Sequence, residues 1–245
     1  MMSQQNSSTY FQTVSFAQFV IVQALCIPIG IFAVIGNAVV LLAYAKYKMM
    51  RKVSCAHLIA ALAVCDLING VGSIILSISR LWIALFDFYD YTRIYCIVTA
   101  TCWIIAMEMS QIITIAIALD RLMAMSWPFL YSARNHRSFA QGAFLFALFT
   151  GIVFIGLSLV GIDFTERSDR CTWLRAVSPL CGDIFLLFNA IVGPLVAALY
   201  GMAMYNKKKW ATKHVGSEIS VLAHDVQLKV NKLLTKIMCV YFILL

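Results

Sequence analysis

Two carboxylic acids lie within stretches of this sequence that are otherwise apolar. Asp66 stands in LIAALAVCDLING, and Glu108 stands in WIIAMEMSQIITIAIALD. An ionisable side chain in such a segment is energetically costly, so it usually faces a water-filled cavity and serves an ion, a proton or a ligand. The alternative for both residues is a protonated, hydrogen-bonded carboxyl with a structural role.

Two uncharged polar residues in apolar segments also allow either a functional or a structural role, although burying them costs less free energy than burying an acid. Asn37 follows a glycine in FAVIGNAVVLLAY, and Ser110 lies two positions after Glu108. Hydrogen bonds between membrane helices explain such residues and contribute about 1 kcal/mol or less each. A functional role beside the acids explains them equally well.

An acid and a base stand side by side at Asp120 and Arg121, after a long apolar run in which Glu108 is the only ionisable residue. Attraction between opposite charges is strong in a low dielectric and weakens on contact with water. These residues alone favour a charge pair at the membrane boundary, next to the helix stop that Pro128 predicts.

The elements that position these residues follow from the composition. The chain has 245 residues, of which 62% are hydrophobic and 12% charged, against about 45–50% and about 25% in soluble domains. A bilayer core about 30 Å thick needs about 20 apolar residues per helical crossing. The sequence therefore predicts an all-α membrane protein, a single transmembrane domain over residues 1–245, with spans at about 16–45, 53–82, 94–126, 138–162, 183–206 and 230–245.

The apolar segments at the two ends of the chain each lead to a prediction. The sixth segment stops at Leu245, halfway across a bilayer, which would leave a carboxylate in the hydrocarbon, so we expect a fragment or an incomplete gene product. The N-terminal apolar run has no basic flank and is longer than the core of a signal peptide, which indicates an uncleaved first span.

The basic residues predict the orientation of the chain. Of the 19 Lys and Arg residues, 14 lie in the regions after spans one, three and five. Short cytoplasmic loops carry this excess, so the N-terminus is predicted to lie outside, where Asn6 begins a glycosylation sequon. The net charge of +8 then reflects this asymmetry and attraction to anionic membrane lipid rather than binding to nucleic acid.

The cysteines include one candidate disulfide. Cys96 stands at the outer start of span three and Cys171 in the next outer loop, both on the oxidising side, where disulfides persist. Cys181 is the alternative partner, but it precedes Pro194 by 13 residues and is expected in the first turn of span five. We therefore favour Cys96 with Cys171.

Several of these features together resemble a known family. They are GN in span one, LAVCDL in span two, Cys96 at the head of span three, ALDRLMAMSWPFLY at its end, and Pro194 inside span five. This order resembles the rhodopsin-like (class A) G protein-coupled receptors over the whole chain. The segments ALDRL and WPFLY and the cysteine-rich spans most resemble those of the nematode serpentine chemoreceptors, class SX-like. The resemblance implies a seven-transmembrane receptor bundle, of which five complete spans and part of a sixth are present.

The resemblance also implies roles at the end of span three. Asp120 would hold Arg121 at rest, and Arg121 would be released to contact the G protein when helices five and six move apart. Pro128 would end the helix, and Phe129 would be offered to the G protein. In the same way Asp66 would be the acid of a sodium site, with Ser110 as a ligand and Asn37 hydrogen-bonded nearby, and no other metal or cofactor is implied.

The ligand site is expected in the outer half of span three, at Trp103 and Met107 with Glu108 below; ordinary helix packing is the alternative for all three. Trp103 stands 17 residues before Asp120, where amine receptors carry an Asp, so a biogenic amine is not expected unless Glu108 substitutes as the counter-ion. Span four has no Trp, and Met202 occupies the place of the family's Tyr in span five.

The predicted function is therefore a chemosensory G protein-coupled receptor at the plasma membrane. It would bind an extracellular small molecule or peptide and activate a heterotrimeric G protein, with a second receptor copy as a further candidate partner. The alternatives are a non-signalling truncated subunit and an ion-coupled transporter that uses Asp66 and Glu108. The sequence has neither HExxH nor GxSxG, so an enzyme is not expected.

Overall fold

The computed structural model describes residues 16–51, 53, 55–86, 92–163 and 173–213. Within these ranges the chain forms eight α-helices. They are α1 Phe16–Lys46, α2 Lys48–Arg51, α3 Ala56–Leu85, α4 Arg93–Ser126, α5 Pro128–Ala133, α6 His136–Ser158, α7 Trp173–Ala176 and α8 Pro179–Lys213.

Five of the described helices, α1, α3, α4, α6 and α8, are long and apolar enough to cross a membrane. They follow the order of the five complete spans that composition predicts and confirm the all-α membrane fold. The largest differences in bounds are that α8 spans Pro179–Lys213 rather than residues 183–206 and that α6 ends at Ser158 rather than at residue 162. The predicted sixth span, residues 230–245, lies outside the described residues.

Side-chain exposure differs strongly between these helices. α1 leaves large apolar side chains uncovered, among them Phe32 at 75% and Leu42 at 68% exposed, as expected of a helix that faces lipid. α4 instead buries most of its length, and Ala100, Ile104 and Ile113 are fully covered. The residues of α4 that carry the expected chemistry are therefore held by protein on several sides.

Contacts divide the chain into two compact units. The first unit comprises residues 1–117 and 135–187, and the second comprises residues 118–134 and 188–245. The first contains α1, α2, α3, α6, α7, most of α4 and the start of α8. The second contains the C-terminal end of α4, α5 and the rest of α8.

Glycines lie at two close contacts between helices of the first unit. A Cβ on Gly70 of α3 would lie 2.9 Å from the carbonyl oxygen of Gly30 in α1, and one on Gly72 would lie 2.8 Å from the backbone nitrogen of Trp103 in α4. Small residues allow membrane helices to approach at this distance. Where α1 ends and α3 begins, Tyr44 Oη and His57 Nδ1 are 2.6 Å apart in a hydrogen bond.

Two clusters of buried apolar side chains form the core of the first unit. The Trp173 cluster joins α3, α4, α7 and the start of α8, with Leu76, Met107, Trp173, Cys181 and Phe185 among its members. The Ile113 cluster joins α3, α4 and α6, with Leu58, Cys65, Met109, Ile113 and Ala147 among its members.

The second unit is built around the break between α4 and α5. Trp127 has φ −135° and ψ 68°, which are not helical values, so α4 ends at Ser126. Pro128 occupies the first turn of α5, where its fixed φ is favourable and its missing N–H costs nothing. The side chain of Asn206 in α8 donates a hydrogen bond to Ser126 Oγ at 2.8 Å and ties α8 to the end of α4.

Candidate functional site

The Asp120 carboxylate is the centre of a polar contact network in the second unit. Its residue is only 1% exposed. Tyr131 Oη donates a hydrogen bond to Asp120 Oδ2 at 3.1 Å, and Arg134 Nη2 lies 3.9 Å from Asp120 Oδ1. Arg134 Nη1 also donates to Met123 Sδ at 3.2 Å. A single carboxylate therefore fixes α5 and the residue that follows it against the end of α4.

Sequence reasoning expected Asp120 to hold Arg121 and did not anticipate Tyr131 or Arg134 as partners. Arg121 is 4% exposed, beside Asp120 in the last turns of α4. Tyr131 is 11 residues from Asp120 along the chain, and it returns to the carboxylate because the chain turns at Trp127. The helix break at Trp127, followed by a tyrosine in the next short helix, is the sequence feature that could have indicated this contact.

The opposite face of α5 is apolar and uncovered. Phe129 is 89% exposed and Leu130 66%, and the preceding Trp127 is 56% exposed. An exposed apolar surface on a short helix that charge contacts hold in place suits docking to another protein.

A second polar contact lies in the first unit, between α3 and α4. Ser110 Oγ donates a hydrogen bond to Asp66 Oδ1 at 2.7 Å, and Ser110 is fully buried. Asn69, one turn further along α3, has a buried Oδ1 with no hydrogen-bond partner in the described ranges. Sequence reasoning missed Asn69, although residues three apart on a helix lie on the same side.

Asn37 forms its described hydrogen bond within its own helix. Its Nδ2 donates to the carbonyl oxygen of Ala33 at 2.9 Å. The bond within α1 differs from the bond between helices that the sequence suggested for a polar membrane residue. The place of Asn37 near Asp66 stays a prediction.

Two of the three predicted ligand residues, Trp103 and Met107, lie at the Trp173 cluster. Met107 belongs to the cluster and is 7% exposed, and Trp103 packs against it. Glu108 is 6% exposed, and its Oε1 accepts no hydrogen bond from any residue that the structure describes. Glu108 is thus a buried acid with one carboxyl oxygen that has no described donor.

The described cysteines include both a disulfide-bonded residue and free thiols. Cys96 is disulfide-bonded. Cys181, which the sequence left as the alternative partner, carries a free thiol. Cys171 lies outside the described residues, as does the sequon at Asn6, so the Cys96–Cys171 pair and the glycosylation stay predictions.

Comparison with known protein families decides the classification. The family model of the serpentine type 7TM GPCR chemoreceptor Srsx matches residues 30–243. The chain belongs to this family. Among curated proteins, none matches the chain.

Membership confirms the resemblance to serpentine chemoreceptors and places this Srsx receptor in the plasma membrane as a multi-pass protein. Receptors of this kind work with an extracellular ligand and a G protein, and the family is one of receptors rather than enzymes. The seven-helix architecture of the family accounts for the five apolar helices of the described part.

The polar contact at Asp66 fits the chemistry of a sodium ion in such a receptor. Asp66, Ser110 and Asn69 offer carboxylate, hydroxyl and amide oxygens, the ligand types that a hard cation prefers. The buried Oδ1 of Asn69, which lacks a partner within the described ranges, is the observation that favours an ion there. These three residues would hold the ion, which would supply a positive charge to balance Asp66.

Proposed function

We propose that this chemosensory receptor converts binding of an extracellular small molecule or peptide into activation of a heterotrimeric G protein. The observation that carries the proposal is the buried Asp120 carboxylate, which ties Tyr131 and Arg134 to the end of α4 and leaves Phe129 uncovered. Phe129 is the proposed docking residue, and Pro128 starts the helix that presents it.

Arg121 is the proposed switch residue. In the resting state Asp120 and its neighbours keep this guanidinium buried at the end of α4. A ligand that binds an active state more tightly shifts the population toward that state, in which Arg121 contacts the G protein. The coupling requires only that the contacts around Asp120 differ in strength between the two states.

The cytoplasmic placement of α5 follows from the predicted topology. α1 ends at Lys46, α2 carries Lys48 and Arg51, and Arg134 and Arg137 flank the start of α6. The excess of basic residues after alternate helices favours an outside N-terminus. The end of α4 at Ser126 then lies inside, next to the G protein.

The proposed ligand site lies at the other end of α4, around Trp103, Met107 and Glu108. The position of Trp103 and Met107 at the Trp173 cluster supports it, because α7 and the start of α8 also contribute there and belong to the same side of the membrane in this topology. Sodium at Asp66, Ser110 and Asn69 would stabilise the contact between α3 and α4 that the Asp66–Ser110 hydrogen bond forms.

The test measures nucleotide exchange on purified G protein by the full-length receptor in lipid nanodiscs, without added ligand. The Asp120→Asn background is used because it weakens the resting contacts and raises basal activity. In that background Phe129→Ala should remove most exchange. Phe86→Ala is the matched control, since it removes an exposed phenylalanine, 63% uncovered, at the other end of a membrane helix.

The two variants separate coupling from general damage. Loss of exchange in Phe129→Ala alone supports the docking role of α5. Equal exchange in the two variants, or no exchange in the Asp120→Asn background at all, contradicts the proposed coupling.

A further inference from the structure

Five polar residues of α3 lie on one side of this membrane helix and are called here the α3 polar stripe. They are Asp66, Asn69, Ser73, Ser77 and Arg80. Each follows the one before it by three or four residues, and this spacing keeps side chains on the same side of an α-helix. At about 1.5 Å per residue the stripe is about 21 Å long. It runs from the hydrogen bond between Asp66 and Ser110 toward the end of α3.

The opposite side of α3 is apolar and uncovered. It carries large apolar residues that are 38% to 62% exposed, namely Val71, Ile75, Ile78, Trp82 and Leu85. Val71 and Arg80 are about two and a half helical turns apart, so their side chains point in opposite directions. The apolar side is the one that faces lipid. The α3 polar stripe therefore faces the interior of the helix bundle, where charged residues of membrane helices usually lie.

Two contacts between α3 and α4 show the level at which Arg80 lies. Ser110 donates a hydrogen bond to Asp66. Further along α3, Gly72 lies so close to Trp103 that an added Cβ would be 2.8 Å from its backbone nitrogen. Residue numbers thus rise along α3 as they fall along α4, and the two helices are antiparallel. At the same spacing, Arg80 is level with the first turn of α4.

This level is near the extracellular end of the two helices. Cys96 lies in the first turn of α4 and is disulfide-bonded, and disulfides persist on the oxidising side of a membrane. Arg80 itself stands five residues before the end of α3 at Leu85, which is about 7.5 Å along the helix axis. A molecule that enters the bundle from outside would meet Arg80 before the deeper residues of the stripe.

The guanidinium of Arg80 lacks a partner of opposite charge. Its Nε is buried without a hydrogen-bond partner in the described ranges, and no described acid forms an ion pair with it. An arginine side chain stays protonated in proteins. Buried charges are normally paired, because an unpaired one is far more costly than an unpaired neutral group. The missing partner is therefore an anion.

The charge of the stripe favours a carboxylate over a phosphate. Arg80 is its only base, and one base balances the single negative charge of a carboxylate, whereas a phosphate monoester carries about −1.5 to −2. The planar guanidinium also matches the two oxygens of a carboxylate. One turn deeper, Ser77 is 3% exposed, and its hydroxyl can donate or accept a hydrogen bond.

We infer that Arg80 binds the carboxylate of a small organic acid that enters from the extracellular side. The body of the acid lies along the α3 polar stripe, past Ser77, toward the level of Trp103. The inference rests on the proposed extracellular ligand site, adds the chemical class of the ligand and extends the site from α4 to α3. Asn69, at the proposed sodium position, lies about 16 Å deeper along the helix axis, so the two sites do not overlap.

The test measures the melting temperature of the purified full-length receptor in phosphatidylcholine nanodiscs, without G protein or anionic lipid. Three probes share one ring and one chain and differ in charge: 3-phenylpropionate, 3-phenylpropan-1-ol and 3-phenylpropylamine. Arg80→Gln removes the positive charge, and Arg80→Lys keeps the charge without the planar fork. Arg93→Gln is the matched control, because it removes one positive charge from the first residue of α4, at the same end of the bundle.

3-Phenylpropionate should stabilise the wild type, whereas the alcohol and the amine should not. Arg80→Gln should raise the concentration of 3-phenylpropionate needed for half-maximal stabilisation at least tenfold, and Arg80→Lys should raise it less. Arg93→Gln should behave as the wild type. If Arg80→Gln does not fold, Arg80→Lys should still bind the acid more weakly than the wild type and more tightly than it binds the alcohol.

Three results would overturn the inference. A wild type that 3-phenylpropionate does not stabilise would mean that Arg80 is paired within the receptor. Equal stabilisation by the alcohol would mean that only the ring and chain bind. Equal weakening by Arg80→Gln and Arg93→Gln would reduce the effect to general positive charge at this end. None of these results affects the proposed G protein coupling, which is measured by exchange without ligand.

Discussion

Asp120 combines two contacts of different strength in one buried carboxylate. Tyr131 donates a rather long hydrogen bond at 3.1 Å, whereas the approach of Arg134 at 3.9 Å is mainly electrostatic. Substitutions at the two positions therefore affect different contacts. Asp120→Asn keeps an oxygen that can accept from Tyr131 but removes the charge, and Tyr131→Phe removes the hydrogen bond but keeps the charge.

Asp120→Asn should raise basal nucleotide exchange per receptor. A loss of about 1.4 kcal/mol from the resting state alone raises a small active fraction about tenfold. Tyr131→Phe should raise it less, since the charge that restrains the basic side chains remains. Exchange is normalised to surface receptor. If both variants lower surface expression equally and leave exchange per receptor unchanged, Asp120 is only a structural helix end.

If Asp66, Ser110 and Asn69 bind sodium together, the thermal stability of the receptor should depend on this ion. Replacing choline chloride by sodium chloride should raise the melting temperature of the wild-type receptor. Asp66→Asn should remove the effect, because it deletes the only full charge among the three ligands, and Asn69→Ala should reduce it. Asn37→Ala tests whether the predicted fourth residue contributes. A sodium effect that survives Asp66→Asn would place the ion elsewhere.

The candidate residues show what a sequence can and cannot predict at this scale. Asp66, Glu108 and Asp120 stand out because charge is rare in apolar segments. Asn69 and Tyr131 were missed because their importance depends on which side of a helix faces the acid and on where the chain turns. Trp173 lies between two spans, so no apolar pattern marked it as buried.

Among the elements, the contact between α1 and α3 depends on which glycines face each other. The GN pair that supported the family resemblance includes Gly36, yet a Cβ on Gly36 would meet nothing within 4 Å. Gly30 and Gly70 instead meet through their backbones. The apolar pattern predicted both helices but not this contact, because spacing along one helix does not specify its rotation toward its neighbour.

Gly70→Ala should lower the melting temperature of the receptor, whereas Gly36→Ala should leave it unchanged or raise it. The added methyl on α3 would press on a carbonyl, and overpacking of this kind costs about 1–3 kcal/mol. Alanine at Gly36 has open space, and it favours a helix by about 1 kcal/mol over glycine. Equal melting temperatures for the two variants would mean that α1 is not held against α3 at these glycines.

The predicted Cys96–Cys171 disulfide would join the start of α4 to the segment between α6 and α8. Cys96→Ser and Cys171→Ser should each reduce surface expression, and the double variant should be no worse than either single one, since partners in one bond are not additive. Cys181→Ser is the control, because its thiol is free. Non-additivity between Cys96 and Cys181 would overturn the predicted pairing.

At the scale of the whole molecule, two independent observations favour an outside N-terminus. The excess of basic residues follows alternate spans, and Cys96, at the start of α4, is disulfide-bonded, which requires an oxidising compartment. Since α1 and α4 are the first and third membrane helices, their N-terminal ends lie on the same side. The orientation stays a prediction, which rests mainly on the distribution of charge along the chain.

An epitope placed before Met1 should therefore be stained on intact cells, and one inserted at Gly216 only after permeabilisation. Both insertion points lie outside the described helices, so the tags leave the described contacts intact. An epitope before Met1 that is stained only after permeabilisation would place α5 and Phe129 outside, where no G protein is present, and Cys96 on the reducing side. The proposed coupling, the ligand site at Glu108 and the disulfide would then fail together, because all three depend on the direction in which α4 crosses the membrane.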